Sequence, residues 1–212
     1  MAAPAPFFKT ITKSFRDVPT QPGVDTVQFC DAAEGLVKIF DLFGNPAFGI
    51  VQSDLTGNIA FLTFRYAGGY GQQRKGREEE DSYRGLDVVT SASFSSSAAL
   101  SGSTAANIVG NDHRGLKFTA IGLRRSQQNQ SEELSVSFQK AYEGSLRPHH
   151  GMMVRPLFAL AMKACPYRAT FYPKLGEPEA EVQKELDEWL TGLEKIVAQM
   201  EKFYKEGGHG TI

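Results

Sequence analysis

Asp54 and Asn58 stand one helical turn apart. A carboxylate acceptor beside an amide that both donates and accepts can grip neighbouring hydroxyls of a sugar. The spacing also fits an exposed helix face or a local cap, since Asp and Asn in mid-helix are common on surfaces. His149-His150 follows Pro148 and leads straight into the apolar stretch from Met152 to Ala164. A histidine placed there serves either as a hydrogen-bonded helix-start residue or as a ligand contact. Zinc is disfavoured: no further ligand sits at a helical or CxxC spacing, and adjacent side chains on a helix point in different directions. Two catalytic pairings can be written, Cys165 with His150 and Ser131 with Glu133. Neither is backed by a GxSxG elbow, a phosphate-binding glycine run ending in Lys-Ser/Thr, or HExxH. The chemistry on offer is recognition rather than catalysis, with no metal and no cofactor.

The elements that must hold these residues are helical. Val27 to Phe43 carries Phe29, Ala33, Leu36, Phe40 and Phe43 at steps of three and four, one face of an amphipathic helix. Gly44-Asn45-Pro46 breaks it, because glycine tolerates positive φ and the residue before proline avoids the α region. A second helix follows from about Ala47, with Phe48, Val51, Leu55, Ile59 and Leu62 inward. From about Ala67 to His113 no period persists, and GGYGQQRKGREEED gives way to SASFSSSAALSGSTAA. Such composition buries too little apolar area to offset ordering entropy, so an irregular or weakly folded middle segment is expected.

Periodicity resumes at Arg114 and runs to the polar stretch 124–130, with Leu116, Phe118, Ala120 and Leu123 on one side. Ser131-Glu132-Glu133 opens a further helix with Ser131 as N-cap and Gly144 as stop. Leu146 to Ala164 reads as a central apolar helix kinked at Pro156. Glu177 to Tyr204 repeats Val182, Leu186, Trp189, Leu193, Ile196, Met200 and Phe203 over many turns, acidic at its start and basic at its end. No segment alternates with period two. One all-α domain of 212 residues is expected, its helices packed in layers.

Bulk properties narrow the partners. A formal net charge of −1 gives no global attraction to nucleic acid. Cys30 and Cys165 belong to no CxxC pair and are expected to stay reduced. The N-terminus lacks the basic and apolar regions of a secretory signal, and no apolar run is long enough to span a bilayer. A soluble, cytosolic chain is expected.

Several stretches taken in order resemble glycolipid transfer proteins of the fungal HET-C2 kind. They are Phe40-Asp41-Leu42-Phe43-Gly44, Phe48 through Asp54-Leu55-Thr56-Gly57-Asn58-Ile59, Arg114-Gly115-Leu116-Lys117-Phe118, Pro148-His149-His150-Gly151 and Ala164-Cys165-Pro166-Tyr167. The resemblance covers roughly residues 7 to 66 and 114 to 204, leaving 67–113 divergent. It implies a two-layer helical sandwich, without disulfides, that encloses a lipid's chains in an apolar pocket and holds its sugar at the surface. By resemblance, Asp54 and Asn58 hydrogen-bond the first sugar ring and His150 contacts the ceramide amide oxygen. Phe40, Phe48, Val51, Leu146, Phe158, Met162, Phe171 and Trp189 match positions that line or support the chain pocket. Ordinary core packing would look the same in sequence.

The function implied is a soluble monomeric carrier of glycosphingolipids that meets membranes peripherally and reversibly. Two positions depart from the pattern. Phe61 stands where the family places a head-group lysine, and Asn111 where it places a tryptophan that stacks on the sugar. Both border the aperiodic stretch, which a divergent insert or a translation across misassigned exon boundaries would each produce. The departures give a second reading, a non-transferring lipid sensor or helical interaction protein with a weakened head-group site. The phosphate-binding branch of the family carries a further cation about one turn after the arginine matching Arg114. Phe118 stands there, so glycosylceramide is expected over ceramide phosphate.

Overall fold

The computed structural model describes residues 5–21, 23–67 and 102–207, without the side chains of 61, 62, 64–67, 102–112, 203 and 204. Among the described residues are eight α-helices and no strand: α1 Phe7–Thr10, α2 Thr26–Phe43, α3 Gly49–Ala67, α4 Gly102–Gln128, α5 Leu134–Gly144, α6 Arg155–Lys163, α7 Arg168–Leu175 and α8 Glu179–Gly207. Single 3₁₀ turns at Phe15–Asp17, Pro46–Phe48 and Arg147–His149 join them. None of the described helices is long and apolar enough to cross a membrane.

Local chemistry sets the boundaries of α2 and α3. Asp25 caps α2, its side chain accepting from the Gln28 amide at 2.9 Å. Gly44 ends the helix at φ +67°, and the Lys174 ammonium reaches back to the Leu42 carbonyl at 2.8 Å. Asn45 then accepts from the Ala47 amide, and Pro46 sits in the first position of the 3₁₀ turn that leads into α3. The predicted inward residues Phe29, Ala33, Leu36, Phe40, Phe43, Phe48, Val51, Leu55 and Ile59 are all buried.

α4 is the hub, packing against α3, α5 and α8. Arg124 locks it to α8, donating to both oxygens of Glu194 at 2.8 and 2.9 Å and to Asp187 at 2.5 Å. Such charge-assisted, two-pronged contacts fix orientation as well as adding energy. At the far side of α8, the Phe15–Asp17 turn lies against Gly192, Arg16 pairs with Glu188, and Trp189 packs on Phe15 and Phe8 at ring distances of 5.0 and 6.1 Å.

Four sequence expectations are corrected. The helix expected from Arg114 begins at Gly102, so residues 102–113 are helical while 68–101 lie outside the described residues. Its first turns carry small residues with no apolar period, and elongating an existing helix is far cheaper than nucleating one. Ser131 does not cap α5. Glu133 occupies that position without a side-chain cap bond, while Glu132 binds Arg125, Ser137 and Lys140. This triple partnership holds the Glu132 carboxyl down at about 2. The stretch from Leu146 to Ala164 is not one kinked helix. Pro156 falls in the first turn of α6, where its missing N–H costs nothing, so the chain breaks before it rather than bending around it. That stretch is also not central, since most of α6 faces outward.

Aromatic residues matched to the chain pocket pack on one another and on their neighbours. Phe40 stacks on Phe48 at 5.7 Å, Phe43 touches Phe48, Phe138 and Phe171 edge-on at 4.8 to 5.3 Å, and Phe118 meets Phe138 at 5.5 Å. Each ring gains dispersion contacts from its neighbours that a gap between them would forfeit.

Candidate recognition site

α3 presents Asp54 and Asn58 on one face, with Leu55 and Ile59 turned inward between them. The Asp54 residue is exposed, yet the protein around its carboxyl raises the pKa by desolvation. Hydroxyl donors placed against that carboxylate would restore the solvation it lacks. The Asn58 side-chain nitrogen is buried with no hydrogen-bond partner among the described residues. A buried amide donor left unpaired costs roughly 1–3 kcal/mol, so it is poised for an acceptor.

His150 lies in the loop between the Arg147–His149 turn and α6. Its ring sits 4.4 Å from that of Phe158, and its Nδ1 is 3.2 Å from the Tyr142 hydroxyl. Tyr142 in turn stacks on Phe158 at 5.2 Å with planes 9° apart. In the tautomer with the imidazole proton on Nε2, the Tyr142 hydroxyl donates to Nδ1. Nδ1 as acceptor leaves the proton of a neutral imidazole on Nε2, a donor for an external carbonyl. Burial foremost, then His149 and Arg155, lowers the His150 pKa, a shift that disfavours the charged ring.

No hydrogen bond joins His150 to Asp54 or Asn58 among the described residues. Leu55 of α3 and the His149 next to His150 each relate to the first turns of α4 after Arg114. Leu55 lies within 3.4 Å of where a Gly115 side chain would start, placing α3 against the Arg114–Gly115 turn of α4. His149 is influenced by Arg114 and Lys117 of the same turns. Of the predicted pocket residues, Phe40, Phe48 and Phe171 belong to the aromatic cluster centred on Phe43, while Phe158 joins His150 and Tyr142. Val51, Leu146 and Met162 are buried, and Trp189 packs on the N-terminal segment. Phe61 and Asn111 have side chains outside the described residues.

Sequence reasoning missed Tyr142. It lies eight residues before His150 across a loop, and no spacing rule connects them. An exposed apolar patch was also missed. Met152 and Met153 are 84% and 88% exposed, and Val154, Leu157, Leu160, Tyr167 and the nearby Ile50 are exposed too. Its sequence reads as a buried helix because exposure leaves no mark on a run that is apolar throughout. The surrounding stretch 144–176 carries five Lys and Arg residues and no Asp or Glu, against a whole-chain charge of −1. A cleft of about 380 Å³ between Gln130, Arg168, Tyr172 and Glu177 is lined by none of the candidate residues. No group of three His, Cys, Asp or Glu side chains among the described residues is placed to hold a metal.

A second histidine gives the fold an acid limit. His113 is 1% exposed, with Nε2 3.4 Å from a Glu201 oxygen that also accepts from Lys117 at 2.6 Å. Burial outweighs Glu201 and lowers its pKa from the ordinary 6.5. A depressed histidine pKa gives stability that is whole above the unfolded value and lost as pH falls through the folded one. Thermal unfolding is therefore expected to be flat above pH ~7 and to shift to lower temperature below pH ~6.5. His113→Gln, neutral at every pH, is expected to reduce that shift. Circular dichroism melts of both chains across this range check it.

The profile of the family described as glycolipid transfer protein (GLTP) matches residues 24–177. A glycolipid transfer protein of Aureobasidium melanogenum is 41% identical over 198 residues, covering 93% of this chain and 92% of that one. The human pleckstrin homology domain-containing family A member 8 is 27% identical over 95% of this chain, which spans 39% of that longer protein. Among solved structures, the fungal glycolipid transfer protein HET-C2 superposes with a TM-score of 0.76 at 35% identity, covering 94% of this chain and 96% of that one. The GLTP-fold of FAPP2, which selects simple glycosphingolipids, superposes at 0.75 with 25% identity and 98% coverage of both.

Proposed function

Because the chain belongs to the glycolipid transfer protein family, whose members move lipid without converting it, we propose that it carries glycosylceramides between membranes. The observation that bears most weight is the Asn58 side-chain nitrogen, buried with no hydrogen-bond partner among the described residues, one turn from Asp54 on the exposed face of α3. Asp54 accepts from hydroxyls of the first sugar and Asn58 supplies the donor. His150, oriented by Tyr142, donates Nε2–H to the ceramide amide oxygen. The lipid chains enter by parting the rings around Phe40, Phe48 and Phe158, and each buried CH₂ returns about 0.8 kcal/mol. This nearly matches what the bilayer gives the same chain, so net transfer depends on the polar grip.

The Met152–Leu160 patch is the membrane-facing surface, and its basic surround favours an anionic bilayer. A cytosolic, monomeric carrier that docks reversibly follows from this reading. Phe118, at the position of the phosphate branch's extra cation, is buried against Phe138, which supports a neutral sugar over a phosphate head group. In a vesicle assay, glucosylceramide and galactosylceramide are expected to move faster than ceramide phosphate, and the reverse order would overturn the assignment.

Phe61 and Asn111 favour the second reading, a lipid sensor that does not transfer. The same assay separates the two. If the natural chain moves no glycolipid and the double substitution Phe61→Lys, Asn111→Trp creates transfer, the sensor reading stands.

A further inference from the structure

The most exposed large apolar side chains of the docking patch are two adjacent thioethers, Met152 and Met153. The other described sulfur atoms are shielded. Met162 is 2% exposed, Met200 is partly buried in the core, and Cys30 is buried. Cys165 is partly covered, and burial pushes its thiol up to about 12, leaving almost no thiolate for a peroxide to meet. Among the described residues, peroxide thus meets exposed thioether sulfur at one surface.

We propose that Met152 and Met153 form an oxidation site through which peroxide weakens membrane docking. In the step, a thioether sulfur attacks one oxygen of hydrogen peroxide with its electron pair. The S–O bond forms as the O–O bond breaks, and the departing oxygen leaves as water after proton transfer. Sulfur is oxidised to the sulfoxide and the peroxide is reduced to water. A flexible apolar tip becomes a strongly polar one. A sulfoxide must shed bound water to enter the acyl boundary, whereas a thioether does not. The flanking cations Arg147, Arg155 and Lys163 remain, so long-range attraction to an anionic surface survives while the apolar anchorage weakens. Sulfoxides of both configurations are reducible by methionine sulfoxide reductases, which makes the change reversible.

The inference rests on the docking reading above, and the experiment separates the two. The full chain is treated with dilute hydrogen peroxide, the added oxygens are located by mass spectrometry, and flotation with phosphatidylcholine–phosphatidylserine vesicles is measured. Met152 and Met153 are expected to oxidise before Met162 and Met200, with vesicle affinity falling roughly 10-fold or more. The two classes of methionine sulfoxide reductase together are expected to restore it. Met152→Leu, Met153→Leu, compared with its own untreated sample, is expected to lose the peroxide response. Unchanged binding by chains oxidised at both residues overturns the proposal, as does equal peroxide sensitivity in the double variant. An untreated chain that floats with no vesicle overturns the docking reading itself.

Discussion

Asp54→Ala slows glucosylceramide transfer by roughly 10- to 100-fold, the range set by about 1.5–3 kcal/mol for hydrogen bonds to a charged acceptor. The residue lies on the exposed face of α3, so its loss removes no core contact. Burial by its surroundings already raises the carboxyl pKa, and truncation relieves that cost in the free protein. The fold is therefore expected to melt at or slightly above its natural temperature while transfer collapses. Asp54→Asn keeps one acceptor oxygen and is expected to fall between the two. Transfer rates read beside melting curves decide the matter: unchanged transfer in Asp54→Ala removes the carboxylate from the recognition site.

The second large effect is on stability and lies far from that site. Gly192 on α8 is buried where the Phe15–Asp17 turn crosses it, and a Cβ there would sit 2.7 Å from the Arg16 Cα and closer still to the adjoining backbone N and C atoms. Backbone cannot rotate away as a side chain can. Gly192→Ala must therefore push the turn off the helix, loosening Phe15 from Trp189 and Arg16 from Glu188. Overpacking of this kind is expected to cost about 3 kcal/mol, the upper part of the usual range, which lowers the melting temperature by roughly 6–12 °C for a chain of this size. Gly57→Ala, whose Cβ would meet nothing within 4 Å, is the control for an added methyl on a helix. A Gly192→Ala chain that melts with the natural one would show that the N-terminal turn does not clamp α8.

What the sequence could show follows from where the physics is local. α2, α3 and α8 were legible because each has one buried face, and the 3.6-residue period of Phe29 to Phe43 or Val182 to Ile196 is that face written out. The Gly44-Asn45-Pro46 break was legible because φ +67° and a proline at a helix start are demands on residue type. The first turns of α4 were not, because they follow by elongation from a packed half further on. Ser131 misled because a capping residue acts only where the backbone turns, and Glu132, held by Arg125 and Lys140, moves that turn downstream. α6 misled because it is apolar on both faces, and apolar sequence does not distinguish a buried face from an exposed one. Asp54 and Asn58 are legible as a pair on one helix face from their spacing, whereas the Tyr142–His150 contact exists only once a loop has folded back.

The proposed carrier takes the two chains of one glycosylceramide among the rings around Phe40, Phe48 and Phe158 while its sugar rests on Asp54 and Asn58. Native mass spectrometry of the full chain after incubation with glucosylceramide-containing vesicles tests it most directly. The predicted spectrum shows one glucosylceramide per chain, abolished or strongly reduced in Asp54→Ala. A chain that emerges bare, or that takes up ceramide phosphate in preference, would contradict the account.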